Sequence, residues 1–369
     1  MKLDGLLQIL IDQRGSDLFL SVGIEPCLKV NGRINRLGNL PLDAEMVSEF
    51  IKEAMTPEQY QRYCSAHEAN FALQRPIELG RFRVSCFWQM GNPGMVIRRI
   101  ITEIPTMEEL YLPDVLREVC LTKRGLVLFV GATGAGKSTT QAAMIGYRNQ
   151  MTDGHILTIE DPVEFVHQHG RSIITQREVG ADTDSFDNAL KSALRQAPDV
   201  ILLGEIRSQE TMEFALSFAE TGHLCMATLH ANNANQALER IMHLVPVEKH
   251  RQLLYDLSFN LKAIVAQQLI PTRDGMSRRA CFEIMLGTPL IKDIIRKGEL
   301  HRLKEVMTNS REHGMVTFDQ SIFNLYRLGI IGYNEALTFA DSPNDVRLMI
   351  KLDGGEGYDS GMLSNVTVD

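Results

Sequence analysis

Apolar positions in the first hundred residues change period several times. Leu3, Leu6, Leu7, Leu10 and Ile11 recur at helical spacing until Gly15 stops the run, which predicts a first helix. Leu18 and Leu20 then begin the alternation of a half-buried strand. Leu28-Lys29-Val30 and Ile34 flank Asn31-Gly32, a dipeptide that accepts the positive φ angles of a hairpin turn. A helical region is predicted from about Asp43 to His67, interrupted at Thr56-Pro57. Alternation returns from Arg81 to Trp88, with a turn predicted over Gly91-Asn92-Pro93-Gly94 and a return strand through Val96-Ile97-Arg98. On the outgoing strand Phe82, Val84, Cys86 and Trp88 share one face, leaving Arg81 and Arg83 on the other. Residues 1–100 therefore read as a small α+β domain.

The pattern weakens over 101–113, where Pro105 and Pro113 bracket a short acidic stretch, and a linker is predicted there. From Val115 onward short apolar runs alternate with helical patterns, the signature of a parallel sheet covered on its faces. This second, α/β domain is placed at 114–352. Residues 353–369 are rich in Gly, Asp and Ser and read as a disordered tail.

Composition narrows the function classes. With 44% hydrophobic and 23% charged residues the chain has the balance of a globular protein, and 369 residues suit two or three domains. A net charge of −8 argues against a general binder of nucleic acid or anionic membrane, while leaving room for one local basic groove. No apolar run approaches the roughly 18–20 residues that cross a bilayer. Met1-Lys2-Leu3-Asp4 does not begin a signal peptide, so a cytoplasmic location is expected. The six cysteines form no Cys-x-x-Cys pair, which predicts small buried apolar residues and no zinc. His167 and His169 would share a face on a strand, yet no carboxylate or thiol motif completes a metal site.

The chemistry begins at Gly131-Ala132-Thr133-Gly134-Ala135-Gly136-Lys137-Ser138-Thr139, which fits G-x-x-x-x-G-K-[ST]. A chance match in a chain of this length is expected about once in a hundred chains. The apolar run Leu126 to Val130 precedes it, and a helix is predicted over Thr139 to Ile145. Glycines let successive backbone N–H groups turn toward phosphate oxygens, and the helix N-terminus adds positive potential. Lys137 is expected on the β- and γ-phosphates and the Ser138 hydroxyl on Mg²⁺. A nucleotide site is predicted.

Three further segments carry hydrolysis chemistry. The strand run Ile156 to Ile159 ends in Glu160-Asp161-Pro162-Val163-Glu164, and a carboxylate at a strand end can orient water for attack on a γ-phosphate. The run Val200 to Leu203 ends at Gly204-Glu205, like a Walker B element whose acid holds Mg²⁺ or its water. His223 and His230 flank the apolar run Leu224 to Leu229, which places His230 at a strand end where it can donate to the γ-phosphate.

In this order the segments resemble the PilT/PilU branch of the secretion ATPase superfamily, the hexameric motors of type IV pili. Gly131–Thr139 matches Walker A, Ile159–Phe165 the Asp box, Ile201–Arg207 Walker B and Thr221–His230 the His box. Ser16-Asp17-Leu18, Thr106–Leu110 and Gly314-Met315 with Thr317, Asp319, Gln320 and Ser321 extend the likeness over nearly the whole chain. The resemblance implies a PAS-like N-terminal domain, a RecA-like ATPase domain, ATP with Mg²⁺, and hydrolysis. Carried over residue by residue, Glu164 is the catalytic carboxylate, Glu205 the Mg²⁺-side acid and His230 the γ-phosphate sensor, though any carboxylate of the Asp box can take the first role. Arg83 and Arg98 match the N-terminal arginines that reach the phosphates on domain closure, and Arg81 stays open as a third; a subunit-interface salt bridge is the competing role for them. Arg195 and Arg207 read as structural.

The segment Pro289–Glu299, Ala231–Asn235 and the acidic tail place the chain nearer PilU, the accessory retraction ATPase, than PilT. Implied partners are five further copies in a homo-hexamer, a platform protein at the inner membrane and the principal retraction ATPase, with no nucleic acid. Location then becomes the cytoplasmic side of the inner membrane. Three alternatives stay in view: a pilus extension or type II secretion assembly ATPase, a RecA-like nucleic-acid motor, and a non-hydrolysing regulatory nucleotide binder. The missing zinc cysteines weigh against the first and the acidic balance against the second.

Overall fold

The computed structural model describes residues 2–30, 33–76, 79–100, 103–310 and 314–354. They divide into two compact units. The first comprises Met1–Ile104 together with Val163–His167 and Glu178–Asp184, and the second holds the remaining described residues.

In the first unit the order is α1 (Leu3–Asp12), β1 (Asp17–Ser21), β2 (Cys27–Val30), β3 (Arg33–Arg36), α2 (Ala44–Ala54), α3 (Pro57–Ala66), β4 (Glu68–Gln74), β5 (Arg81–Gln89) and β6 (Asn92–Ile100). The strands form one sheet in the order β3-β2-β1-β6-β5-β4, antiparallel at every pairing. Leu3, Leu6, Leu7 and Leu10 of α1 and Val47, Phe50 and Ile51 of α2 are buried in one core with Leu18, Leu20, Phe82 and Val84 of the sheet. Fully burying a side chain of this size contributes about 1.5–3 kcal/mol, so this stripe fixes which sheet face the helices cover. The break at Thr56-Pro57 is a helix start. Thr56 caps α3 in a reciprocal box with Gln59, and Pro57 takes the first turn, where its missing N–H costs nothing.

Two expectations need correcting here. The β5–β6 hairpin turns at Met90-Gly91, with φ of 49° and 75°, and Asn92, Pro93 and Gly94 already belong to β6. A two-residue turn with both φ positive matches the twist of the strands, which a type I or II turn would splay. Trp88 does not join Phe82, Val84 and Cys86 in the core. It is 43% exposed near the strand end, edge-on to His67 at 5.4 Å. The β2–β3 hairpin is present, with Val30 opposite Arg33, but its predicted turn residues Asn31-Gly32 lie outside the described residues.

The second unit contains α4 (Val115–Leu121), β7 (Gly125–Val130), α5 (Lys137–Met151), β8 (Gly154–Glu160), β9 (Ser172–Glu178, its last residue counted with the first unit), α6 (Phe186–Ala193), β10 (Val200–Leu203), α7 (Gln209–Glu220), β11 (Leu224–Leu229), α8 (Ala234–His243), α9 (His250–Asn260), β12 (Leu261–Pro271) and β13 (Arg278–Leu286), followed by α10 (Pro289–Lys297), α11 (Leu303–Thr308), α12 (Phe318–Arg327), α13 (Tyr333–Phe339) and α14 (Pro343–Leu352). The sheet order is β13-β12-β7-β11-β10-β8-β9. β12, β7, β11, β10 and β8 run parallel, and β13 is antiparallel to β12. Every residue of β7 and β11 is buried, as expected of strands covered on both faces. Parallel strands bring their C-terminal ends to one edge, so the loops after Val130, Glu160, Leu203 and Leu229 emerge together.

Met107 and Leu112, within the stretch expected to link the domains, are buried in the core of the second unit. α14 ends at Leu352, where the predicted tail of 353–369 begins; Asp353 and Gly354 form a turn, and the rest of the tail lies outside the described residues. Among the described residues no helix is long and apolar enough to cross a membrane.

Candidate active site

β7 delivers the chain into the loop Gly131–Gly136, and α5 starts at Lys137, two residues earlier than the apolar pattern indicates. Gly131 has φ +149°, and a Cβ there would lie 2.4 Å from the Gln267 carbonyl oxygen. At Gly136, with φ +89°, a Cβ would lie 2.8 Å from Gln267 Nε2. Gln267 of β12 is thus the floor of the loop. Its Oε1 accepts a 2.8 Å hydrogen bond from Thr140 Oγ1, tying the first turn of α5 to the sheet. The sequence carries a faint sign of this role in the polar pair Gln267-Gln268, which breaks the apolar run of β12.

The Lys137 side chain is buried, and its Nζ donates to the carbonyls of Gly131 at 2.8 Å and Ala132 at 2.9 Å. The ammonium group is therefore held over the loop by acceptors that a phosphate oxygen can replace at no loss of hydrogen bonding. Ala132, Thr133 and Gly134 are exposed, Ala135 is buried, and Ser138 and Thr139 are half-buried at the start of α5. An exposed loop rim, an inward ammonium group and a hydroxyl at the helix N-terminus fit a polyphosphate with a hard divalent cation. Ser138 and Glu205 are the oxygen donors of the right kind for Mg²⁺.

Glu205 follows β10 and is reached from two sides. Arg207 Nε donates to its Oε2 at 2.7 Å, and His230 Nε2 stands 3.3 Å from its Oε1. The Walker B acid and the His-box histidine are in contact. Thr228 of β11 donates through Oγ1 to the Gly204 carbonyl and through its own carbonyl accepts Ile206 N–H at 2.9 Å, which binds the two strand ends. His223, at the other end of β11, has Nδ1 3.0 Å from the Phe218 carbonyl and serves the end of α7. A cleft of about 490 Å³ opens beside the loop, lined by Gly131, Ala132 and His230 and by Asn232, Gln236 and Arg240 around α8. The α8 residues carry no motif.

Glu283 of β13 is a second residue the sequence does not single out. It is 4% exposed, and its Oε1 accepts the backbone N–H of Ala234, the first residue of α8, at 2.9 Å. Burial, aided by the charge of Asp341, pushes its carboxyl up to about 7 against the Ala234 hydrogen bond and Lys304.

In the Asp box, Glu160 Oε1 accepts from Thr158 Oγ1 at 2.6 Å and from Gln176 Nε2 at 3.4 Å, whereas Glu164 is exposed. Glu164, Arg83 and Arg98 all belong to the first unit. Arg83 is exposed on β5, and Arg98 of β6 is ion-paired with buried Asp17 at 2.7 Å, its own side chain 65% exposed. Arg81 is paired with Glu178 at 2.9 Å. Arg195 is exposed. His167 and His169 lie on irregular chain before β9, not on a strand. Burial lowers the His167 pKa to about 4, and His169 Nδ1 accepts from Ile174 N–H at 3.1 Å.

The family model for type II/IV secretion system proteins matches residues 68–324. The type IV pilus ATPase PilU of Pseudomonas aeruginosa is 57% identical over 367 residues, covering 100% of this chain and 95% of that protein. The type IV pilus retraction ATPase PilT of the same organism is 39% identical over 345 residues, covering 94% of this chain and all of PilT. Among solved structures, the pilus retraction motor PilT with bound ADP superposes with a TM-score of 0.88 at 37% identity, covering 94% of this chain and 99% of that one.

Proposed function

The chain belongs to the type II/IV secretion system protein family, in its branch of type IV pilus retraction ATPases, and from this premise we propose how its residues divide the work. The activity is ATP hydrolysis in pilus retraction. Gly131, Ala132, Thr133, Gly134, Ala135 and Gly136 cradle the phosphates with backbone N–H groups, and Lys137 leaves its two carbonyl acceptors for the β- and γ-phosphates. Ser138 and Glu205 hold Mg²⁺, which neutralises charge on the phosphate oxygens when bound, and Thr139 continues the cradle into α5. His230 reads the γ-phosphate through its contact with Glu205. Glu164 orients the attacking water, and Arg83 and Arg98 answer the charge that develops in the transition state.

The observation that carries this reading is the meeting of Glu205 and His230 at the sheet edge where the phosphate loop emerges. Nothing in a merely regulatory nucleotide site requires a carboxylate and an imidazole together there. The working assembly is a homo-hexamer on the cytoplasmic face of the inner membrane, with a PAS-like domain (1–100), a linker (101–113) and a RecA-like domain (114–352). Hydrolysis turns a membrane platform protein, alongside the principal retraction ATPase and without nucleic acid.

Cells carrying Lys137→Ala test the role. Loss of retraction only when the principal retraction ATPase is present but weakened supports an accessory motor. Loss of pili altogether refutes retraction in favour of extension.

A further inference from the structure

The first unit contains a largely buried ion pair whose carboxylate also holds the residue before Glu164. Glu178 is 5% exposed, and its Oε2 accepts from Arg81 Nη2 at 2.9 Å and from the backbone N–H of Val163 at 3.1 Å. Val163 is 1% exposed, and the next residue, Glu164, is open to solvent. Glu178 is itself held by a tight turn, its N–H donating to Asp182 Oδ2 at 2.9 Å and its carbonyl accepting Asp182 N–H at 2.8 Å. A buried carboxylate survives only with a counter-charge and filled acceptor sites. Arg81 on β5 supplies the first, and Val163 N–H helps supply the second.

We propose that Glu178 and Arg81 are positioning residues for Glu164. Pinning Val163 N–H to a fixed carboxylate sets the direction in which Glu164 leaves the backbone, and the Arg81 pair attaches that setting to the N-terminal sheet. Val163–His167 and Glu178–Asp184 count with the first unit although they are remote from it in sequence, so the tether joins segments that already share one compact unit. Arg81 then has a task other than contacting phosphate. The proposal rests on the reading of Glu164 as the catalytic carboxylate. Displacing a reacting group by about 1 Å costs on the order of a hundredfold in rate, and this sets the expected effect.

Glu178→Ala, Arg81→Ala, Arg81→Lys, the Arg81→Ala/Glu178→Ala double variant and Glu164→Gln are each assayed for ATP turnover and ADP affinity in the full chain. Either alanine variant is expected to lower kcat about tenfold to a hundredfold while ADP affinity stays within about twofold of wild type. The double variant should be no slower than the slower single one, because both act through one tether. Arg81→Lys should recover part of the loss. Unchanged kcat in Glu178→Ala, or losses that multiply in the double variant, overturn the tether while Glu164→Gln remains inactive. Wild-type turnover in Glu164→Gln overturns the reading beneath it. ADP affinity reports folding of each variant, and Glu178→Gln, which keeps an acceptor for Val163 N–H, replaces any alanine variant that fails to fold.

Discussion

The carboxylate of Glu205 has two neighbours competing for it, Arg207 at 2.7 Å and His230 at 3.3 Å. Both contacts hold it at the end of β10, where its oxygens are placed as a Mg²⁺ ligand needs. Glu205→Gln keeps the shape and removes the charge, so phosphate release should fall by about 10²–10³-fold while ADP binding persists, as a filter-binding assay would show. Glu283 offers a test by pH. An unfolded glutamate titrates near 4.5 and the folded one near 7, so in between the folded chain keeps a proton that the unfolded chain has lost. Its stabilising effect is complete below the lower value and is lost as pH rises through the upper one. Asp341, Asp319 and Lys304 share the cluster, with Lys304 Nζ 3.1 Å from Asp319 Oδ2 and 3.6 Å from Asp341 Oδ2. The melting temperature should fall between pH 4.5 and about pH 7, and Glu283→Gln should flatten that fall because a neutral amide oxygen still accepts Ala234 N–H. At this scale the sequence discloses Lys137, Ser138, Glu205 and His230, since each sits in a motif. It is silent on Glu178 and Glu283 and marks Gln267 only faintly, since their side-chain partners are 15 to 97, 49 and 127 positions away in the chain.

Elements follow from the sequence where one face is apolar and an end is capped. α1, α2 and α3 emerge where the spacing and Thr56-Pro57 place them, and β7, β8 and β10 grow from their apolar runs. The β5–β6 turn is ambiguous in the sequence because Gly91, Asn92, Pro93 and Gly94 all read as turn residues, and only the strand register chooses Met90-Gly91. Trp88 shows the same limit, since alternation assigns a face but not where the sheet stops being covered. Caps at this scale are measurable. Thr317 is 2% exposed and caps α12 reciprocally with Gln320, whose Nε2 also donates to the Thr308 carbonyl at 3.1 Å. Thr317→Ala should lower unfolding free energy by about 1–2 kcal/mol in denaturant titration. Gly131→Ala drives a methyl group toward the Gln267 carbonyl and should abolish nucleotide binding, read by ADP titration.

At the scale of the whole molecule, a net charge of −8 and a nucleotide site are compatible because the cations that matter are local. Lys137 is buried in its loop, and Arg81 is engaged by a buried carboxylate of the first unit. Duplex DNA should therefore leave turnover unchanged at low and at moderate salt, whereas a nucleic-acid motor would be stimulated and lose that stimulation as salt rises. The α/β architecture and its antiparallel partner sheet were legible from spacing alone. Membership of Val163–His167 and Glu178–Asp184 in the first unit was not, because it rests on contacts between residues far apart in the chain. The central claim is that this chain hydrolyses ATP with Lys137 on the phosphates. The direct measurement is phosphate release by purified wild-type protein and by Lys137→Ala under saturating Mg²⁺-ATP. The account predicts steady release by the wild type and only the buffer background from the variant, and equal rates from the two proteins would contradict it.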